Sequence, residues 1–271
     1  MSEPVVVVEK AGAVSRVWLS RPDVHNAFNA EVISELSAAL AEISADPECR
    51  VVVLGGRGRS FSAGADLAWM QSAAELSEAE NRADAAKLAT LLRRLERAPQ
   101  ATIARVQGTA LGGGVGLIAA CDLAIGVERA KLGFSEVRLG LIPAVISPHA
   151  IAKIGQGHAR RLFVTGERFS AAHAHSIGLL SEVVADEEAL DAAVEAVIAK
   201  ILQNSPAAVA SAKDLVRQVV RFPTADVDLY TAERIAATRA TPDACEGMKA
   251  FLEKRPPSWA PAAEEEAPKA D

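Results

Sequence analysis

The chain contains two turns of small residues, Phe61-Ser62-Ala63-Gly64-Ala65-Asp66-Leu67 and Ala110-Leu111-Gly112-Gly113-Gly114-Val115-Gly116. Each turn follows a β-like run, Arg50-Val51-Val52-Val53-Leu54-Gly55 or Ala101-Thr102-Ile103-Ala104-Arg105-Val106, and each leads into a helix-like segment. A strand, a turn and a helix that alternate in this way are typical of a layered α/β fold with a largely parallel sheet.

Both turns also suggest chemistry. Amides exposed at the start of a helix, together with the helix dipole, favour negative charge. Small side chains allow a substrate to approach the backbone, so two such turns can form an oxyanion hole for the charge that develops on a carbonyl oxygen. The alternative is that the glycines serve only tight turns and packing. One turn alone favours that alternative, whereas two turns together favour the functional interpretation.

Composition excludes several classes of protein. A chain of 271 residues with 50% hydrophobic content can bury a substantial core, and its formal net charge of −6 argues against nucleic-acid binding. The start, Met1-Ser2-Glu3-Pro4, lacks a secretory pattern, and the longest uncharged stretch, between Arg105 and Asp122, is too short for a membrane span. We therefore expect a cytoplasmic protein. The cysteines and histidines show no metal-ligand spacing: Cys49, Cys121, Cys245, His25, His149, His158, His173 and His175.

Residue patterns predict the order of elements. Strands at Val5–Glu9 and Val14–Leu19 precede a helix at Ala30–Ser44, which gives a β-β-α opening. After Pro143 the pattern becomes mainly helical, and exposed apolar helix faces at the end of a chain favour oligomerisation. Residues 261–271 carry three consecutive glutamates and no large apolar residue, which predicts a disordered tail.

Beyond the second turn, Glu136 is a single carboxylate in an otherwise apolar setting, Phe134-Ser135-Glu136-Val137-Arg138-Leu139-Gly140-Leu141-Ile142-Pro143. An isolated glutamate is more often a surface residue or an ion-pair member. In the company of two amide turns, Glu136 is the candidate for proton transfer.

The chain closely resembles the enoyl-CoA hydratase/isomerase family, the crotonases, over roughly residues 5–260. Four ordered motifs carry the resemblance: Asn26-Ala27-Phe28-Asn29, Phe61 to Leu67, Gln107 to Gly116 and Phe134 to Pro143. The resemblance implies that the N–H groups of Ala65 and Gly113 bind the thioester oxygen. It also implies that six further residues surround the acyl-CoA: Val24, Ala27, Ala63, Asp66, Leu67 and Gly112.

The same resemblance implies a crotonase-like α/β fold, with a β-β-α spiral core over residues 1–200 and a helical oligomerisation region over residues 201–260. Such regions build homotrimers that often pair as hexamers. Lys254 or Arg255 is then placed to reach the CoA phosphate of a neighbouring subunit, with an ordinary solvated helix end as the alternative.

One departure from the family pattern concerns the mechanism. Many hydratases of the family carry two catalytic glutamates, at the positions of Gly116 and Glu136 here, and this chain keeps only the second. The resemblance therefore does not transfer a mechanism that uses two carboxylates.

The leading prediction is hydration of a 2-enoyl-CoA by Glu136, without metal or redox cofactor, coenzyme A being part of the substrate. The motifs look most like those of bacterial 3-methylglutaconyl-CoA hydratases, which act in leucine or terpene breakdown. Such a substrate has a remote carboxylate, for which Arg138, His149 and Tyr230 are candidates. The alternatives are a Δ3,Δ2-enoyl-CoA isomerase and a non-catalytic acyl-CoA-binding paralogue.

Overall fold

The computed structural model describes residues 4–73, 75–221 and 224–261, and it begins with the predicted β-β-α order. Strands β1 (Val6–Ala11) and β2 (Val14–Leu19) form an antiparallel hairpin, and helix α1 (Ala30–Ala45) follows. The chain divides into two compact units, Met1–Ala196 and Val197–Asp271. The predicted core boundary at residue 200 stays a prediction, and the predicted tail lies outside the described residues from position 262 onwards.

The first unit contains a sheet of six strands in the order β1-β2-β3-β5-β7-β10. The strands that follow the hairpin are β3 (Val51–Gly56), β5 (Ala101–Val106), β7 (Leu123–Val127) and β10 (Glu182–Val184). All of their pairings are parallel. Every residue of β3 and β5 is buried, as expected where both faces of a parallel sheet are covered. The predicted parallel α/β architecture is confirmed.

A second sheet of four short strands in the order β4-β6-β8-β9 was not predicted from the sequence. Its strands are β4 (Ser60–Ser62), β6 (Thr109–Leu111), β8 (Lys131–Gly133) and β9 (Arg168–Ser170). Each strand has three residues and lacks an apolar run, so its sequence carries little strand signal. Strands β4, β6 and β8 are parallel, and their carboxyl ends therefore share one edge of the sheet.

Six further helices follow α1 among the described residues of the first unit. They are α2 (Leu67–Ala73), α3 (Glu78–Glu96), α4 (Gly113–Ala120), α5 (Ser147–Thr165), α6 (Ala171–Ser176) and α7 (Glu187–Leu202). The last of them, α7, continues past the boundary at Ala196. Helix α5 is broken at Gly155, where φ is 72°, a backbone conformation that glycine adopts readily. Two short 3₁₀ helices, Pro22–Val24 and Glu136–Leu139, precede α1 and α5.

The second unit contains helices α8 (Pro206–Val219), α9 (Thr224–Arg239) and α10 (Pro242–Glu253), and among its described residues there is no strand. The predicted mainly helical end of the chain is confirmed. Within this unit the Trp259 indole lies against Gly247, and its N–H donates to the carbonyl of Gln203 at 3.1 Å. This hydrogen bond connects the segment after α10 to the residues that precede α8.

Asn26 connects the first 3₁₀ helix to the approach of strand β4. Its buried side chain accepts a hydrogen bond from the N–H of Arg21 at 2.9 Å and donates to the carbonyls of Arg57 and Ser60 at 2.9 and 2.8 Å. Its φ of 54° lies in the left-handed region, which asparagine adopts more readily than most residues. Asn26 therefore joins the segment around the first 3₁₀ helix to the segment that leads into the first small-residue turn.

We predict that Asn26→Ala lowers the free energy of unfolding by about 3 kcal/mol, because buried polar groups lose their partners and alanine disfavours the left-handed conformation. The matched control is Asn29→Ala, which removes a single helix cap on the Val32 N–H and should cost about 1 kcal/mol. Urea unfolding followed by circular dichroism measures both. Equal losses in the two variants would contradict the anchoring role of Asn26.

Candidate active site

Three strand ends of the small sheet meet at one edge, and each leads into a segment that was singled out from the sequence. Strand β4 leads into the turn before α2, β6 into Gly112 and α4, and β8 into the 3₁₀ helix that begins at Glu136. The edge at the carboxyl ends of parallel strands is the usual place for a ligand in α/β proteins. The fold thus brings together the two small-residue turns and the single carboxylate.

The two turns pack directly on each other through glycine. A Cβ at Gly64 would lie 2.9 Å from the carbonyl oxygen of Leu111, and a Cβ at Gly114 would lie 2.7 Å from the carbonyl oxygen of Ser62. Gly64 also has a φ of 90°, which L-residues rarely adopt. The packing of the two turns therefore requires glycine at positions 64 and 114. This packing role is compatible with the proposed role of the turns as hydrogen-bond donors.

Ala65 directs its N–H away from the backbone of Phe28. Phe28 donates to the carbonyl of Gly64 at 2.7 Å and accepts from the N–H of Asp66 at 2.8 Å, which forms a parallel bridge at Ala65. In such a bridge the N–H of the central residue points to the opposite side. Within the described part of the chain, this N–H has no hydrogen-bond partner, and Ala65 is exposed.

Gly113 supplies the second N–H as the first residue of α4. Gly112 precedes it with a φ of 49° and donates its own N–H to the carbonyl of Gly133 at 2.9 Å. The Phe28 ring lies against Gly113, where a Cβ would be 2.7 Å from Cε2 of the ring. Among residues 4–73, 75–221 and 224–261 the Gly113 N–H has no partner, as is usual for the first turn of a helix.

The Glu136 carboxyl lies against the start of α4. A Cβ at Gly112 would lie 3.2 Å from Oε1 of Glu136. Oε2 is fully buried, and it has no hydrogen-bond partner in the described structure. A buried carboxyl oxygen without a partner is costly for stability and is characteristic of functional sites.

Burial raises the pKa of Glu136 above its ordinary value of 4.5, and a hydrogen bond from the residue's own backbone N–H offsets this only in part. A raised pKa brings a carboxyl group closer to the range in which it can both take and give a proton near neutral pH.

Gly116, one turn along α4, faces hydrocarbon. A Cβ there would lie 2.4 Å from Cγ2 of Ile146 and 3.8 Å from Cδ1 of Leu92. Ile146 is 3% exposed, so it has little room to move aside. The volume that a side chain at position 116 would need is therefore already filled.

The residues predicted to surround an acyl-CoA lie around the first turn. Val24 is 42% exposed at the end of its 3₁₀ helix, and the carbonyl of the buried Ala27 accepts from Nη1 of Arg21 at 2.7 Å. The Ala63 N–H donates to the carbonyl of His25 at 2.9 Å, and Leu67 is the first residue of α2.

Asp66 has a structural task that the sequence did not reveal. Its Oδ1 accepts from the N–H groups of Ala68 and Trp69 at the start of α2, and its Oδ2 lies 3.0 Å from Nη2 of Arg21. Burial raises the pKa of Asp66, but hydrogen bonds from Arg21, Trp69 and Ala68 outweigh burial and bring the pKa below its usual value. The charged Asp66 thus holds the helix that follows Ala65.

Lys254 and Arg255 differ in how they are held within the second unit. Arg255 forms a bidentate pair with Glu246 at 2.7 and 2.9 Å, which lowers the pKa of Glu246 to about 2, and it also binds Glu253 at 2.7 Å. Lys254 caps α10 with a φ of 54° and forms no ion pair in the described structure. Lys254 is thus the freer of the two cations for an anionic group.

The three candidates for a remote carboxylate belong to different elements. The Arg138 side chain lies against Gly166 at the end of α5, where a Cβ would be 3.4 Å from its Nε. His149 is buried with Nδ1 3.8 Å from Oε1 of Glu96, and burial lowers the pKa of His149 although Glu96 opposes this shift. Tyr230 belongs to α9 of the second unit.

Sequence reasoning missed the contributions of Asn26, Phe28 and Ile146. Asn26 and Phe28 belong to a motif quoted above, and Ile146 lies shortly after another, but a motif does not show which side chains pack around the backbone donors. In the described part of the chain, no set of three or more histidine, cysteine, aspartate or glutamate side chains is placed to bind a metal ion. Over the same residues, no helix is both long and apolar enough to span a membrane.

We predict that Glu136→Gln becomes more stable relative to wild type as the pH rises above 4.5. Because the pKa of the folded state is raised, the folded protein binds more protons than the unfolded chain above pH 4.5, and wild-type stability falls as the pH passes through this window. Thermal unfolding across this pH range measures the difference.

Glu167→Gln is the control, because the Glu167 carboxyl is more exposed and pairs with Arg161. A difference in melting temperature between Glu136→Gln and wild type that does not change with pH would contradict the raised pKa.

Comparison with known proteins shows the family to which the chain belongs. Residues 9–262 match the enoyl-CoA hydratase/isomerase family. A putative enoyl-CoA hydratase of Thermus thermophilus is 37% identical over 94% of this chain and 100% of its own length. The short-chain-enoyl-CoA hydratase of Clostridium acetobutylicum is 33% identical over 92% of this chain and 95% of its own.

Solved structures show the same fold. The crystal structure of an enoyl-CoA hydratase from Shewanella pealeana superposes with a TM-score of 0.91 at 40% identity, covering 94% of this chain and 96% of the other. The predicted fold class is thereby confirmed. With a family match over most of its length and a relative that is 37% identical over 94% of the chain, this chain belongs to the enoyl-CoA hydratase/isomerase family.

Proposed function

We propose that the protein hydrates 2-enoyl-CoA thioesters and uses Glu136 as its only acid-base group. The observation that carries this proposal is the half-buried Glu136, whose carboxyl lies against Gly112 with one buried oxygen that has no hydrogen-bond partner in the described structure. Relatives named as enoyl-CoA hydratases, including a crotonyl-CoA hydratase of Syntrophomonas wolfei that is 33% identical, support the reaction class.

The proposed reaction proceeds in two proton transfers. The Glu136 carboxylate takes a proton from water as the water oxygen bonds to Cβ, and the electrons of the double bond move onto the thioester oxygen. The N–H groups of Ala65 and Gly113 hold this enolate oxygen, each contributing about 3 kcal/mol. The protonated Glu136 then gives its proton to Cα. Water is thus added with no net change in Glu136, and the chemistry requires no metal or redox cofactor.

The acyl group that we propose is a branched glutaconyl group such as 3-methylglutaconyl. Support comes from the sequence resemblance of the turns and of Phe134 to Pro143. Exposed apolar side chains in the segment that follows Glu136 are available to contact such a group, namely Leu139, Leu141 and Ile142. Arg138 is one cation available to the remote carboxylate if its side chain leaves Gly166.

Isomerisation of a 3-enoyl-CoA is the second candidate, and Gly116 favours it. With Ile146 filling the space at position 116, one carboxyl remains to move a proton across an allylic system. Isomerase and hydratase share the enolate, so the two N–H donors suit either reaction.

We also propose a homotrimer, alone or paired as a hexamer. Large apolar side chains are exposed on the helices of the second unit: Val216, Val220, Leu229, Phe251 and Leu252. Such a surface is characteristic of an interface. In such an assembly, Lys254 is the cation that we propose for the CoA phosphate. Light scattering after size-exclusion chromatography tests the assembly, and a monomer at all concentrations would contradict it.

Turnover products distinguish the candidate reactions. We expect 3-methylglutaconyl-CoA, and more slowly crotonyl-CoA, to lose the conjugated thioester absorbance and to gain the mass of one water. A 3-enoyl-CoA converted to an isomer of unchanged mass would indicate an isomerase. Binding without turnover of any thioester would indicate a non-catalytic acyl-CoA-binding protein and would overturn the proposal.

Glu136→Gln should lower kcat by about 10²–10⁴-fold, because glutamine can neither take nor return the proton. The control is Glu167→Gln, which is expected to keep wild-type turnover, because the Glu167 carboxyl pairs with Arg161. Near-normal turnover by Glu136→Gln would remove this residue from the mechanism.

A further inference from the structure

We infer that Ile146 is a specificity-determining residue that limits the size of the acyl group beside Glu136. This inference rests on the proposed function, because it assigns Ile146 to the site in which Glu136 acts.

The segment between these two residues touches the first turn of α4 at both of its ends. Glu136 lies against Gly112, and Ile146 lies against Gly116. Gly112 and Gly116 are joined by the first hydrogen bond of the helix, at 3.1 Å, and are about 6 Å apart along its axis. The Glu136 carboxyl and the Ile146 side chain thus contact the same turn of α4. The first N–H of this turn, that of Gly113, has no hydrogen-bond partner in the described structure.

The glycine at position 116 has a specific cause. Its φ is not among the positive values in the chain, so its backbone conformation does not require glycine. Glycine inside a helix costs about 1 kcal/mol relative to alanine. The Ile146 methyl, 2.4 Å from the place of a Cβ, accounts for this glycine. Gly116 and Ile146 therefore act as a complementary pair, in which the larger residue comes from the loop side.

This pair is apolar and tightly packed. Ile146 is 3% exposed, and the fully buried Leu92 also lies near Gly116, with Cδ1 3.8 Å from the place of a Cβ there. The loop residues between Glu136 and Ile146, by contrast, expose Leu139 and Ile142 by 59% and 73%. In this proposal, an acyl group held between Glu136 and the donors meets a fixed boundary at the buried Ile146, whereas the exposed side chains of Leu139 and Ile142 set no fixed boundary.

Substrate preference tests this boundary. We expect Ile146→Ala to raise the ratio of kcat/KM for cinnamoyl-CoA to that for crotonyl-CoA by at least about tenfold, because one methylene of room changes selectivity by about 10–200-fold. The matched control is Ile154→Ala, a buried isoleucine further along α5, which should lose stability without a change in this ratio. An unchanged ratio in Ile146→Ala would overturn the inference.

A second set of variants tests the contact itself. We expect Gly116→Ala to lower the melting temperature and kcat. In the double variant Gly116→Ala/Ile146→Ala, we expect the loss in each quantity to be smaller than the sum of the losses in the two single variants. Strictly additive losses would overturn the pairing.

Failure of the proposed function would be visible separately, as absence of product from wild type with every thioester. In that case the ratio of dissociation constants for cinnamoyl-CoA and crotonyl-CoA, measured by calorimetry, replaces the ratio of kcat/KM. A ratio of dissociation constants that is the same in Ile146→Ala and wild type would likewise overturn the inference.

Discussion

Close packing around the first turn of α4 is the constraint on which the site depends. Three neighbours press on this turn at positions without side chains: the Phe28 ring on Gly113, the Ser62 backbone on Gly114 and the Ile146 methyl on Gly116. Their contacts hold the helix start in place without using its first N–H. The amide of Gly113 is therefore both rigid and free of protein partners in the described structure, which is what a pre-organised donor for an oxyanion requires.

The other donor and the carboxylate are held by different means. Ala65 is fixed by the bridge to Phe28 and by Asp66, which caps α2 and pairs with Arg21. Glu136 is held by its position after β8, where burial leaves one carboxyl oxygen without a partner in the described residues. An unsatisfied acceptor reduces stability, and the surrounding structure has to compensate for it. The site thus combines a rigid, well-packed backbone with one unfavourably placed acid.

Some features were accessible from the sequence, for identifiable reasons. The long buried strands β3 and β5 carry apolar runs, and the helices after Pro143 carry a clear helical period, so their types and approximate bounds could be predicted. The second sheet could not, because β4, β6 and β8 have three residues each and owe their existence to pairing with one another. The same limit hid the role of Asn26, whose partners Arg57 and Ser60 are distant in the chain.

The amino-acid sequence by itself determined which groups carry the chemistry: two turns rich in glycine, one glutamate after them, and an α/β frame. Residue type and local order are enough for this, because backbone donors need small residues and proton transfer needs a titratable group. Only the tertiary structure decided that Glu136 lies at Gly112 and that Ile146 fills the space at Gly116. Contacts between residues far apart in the chain depend on how strands pair and helices pack, and no local pattern encodes them.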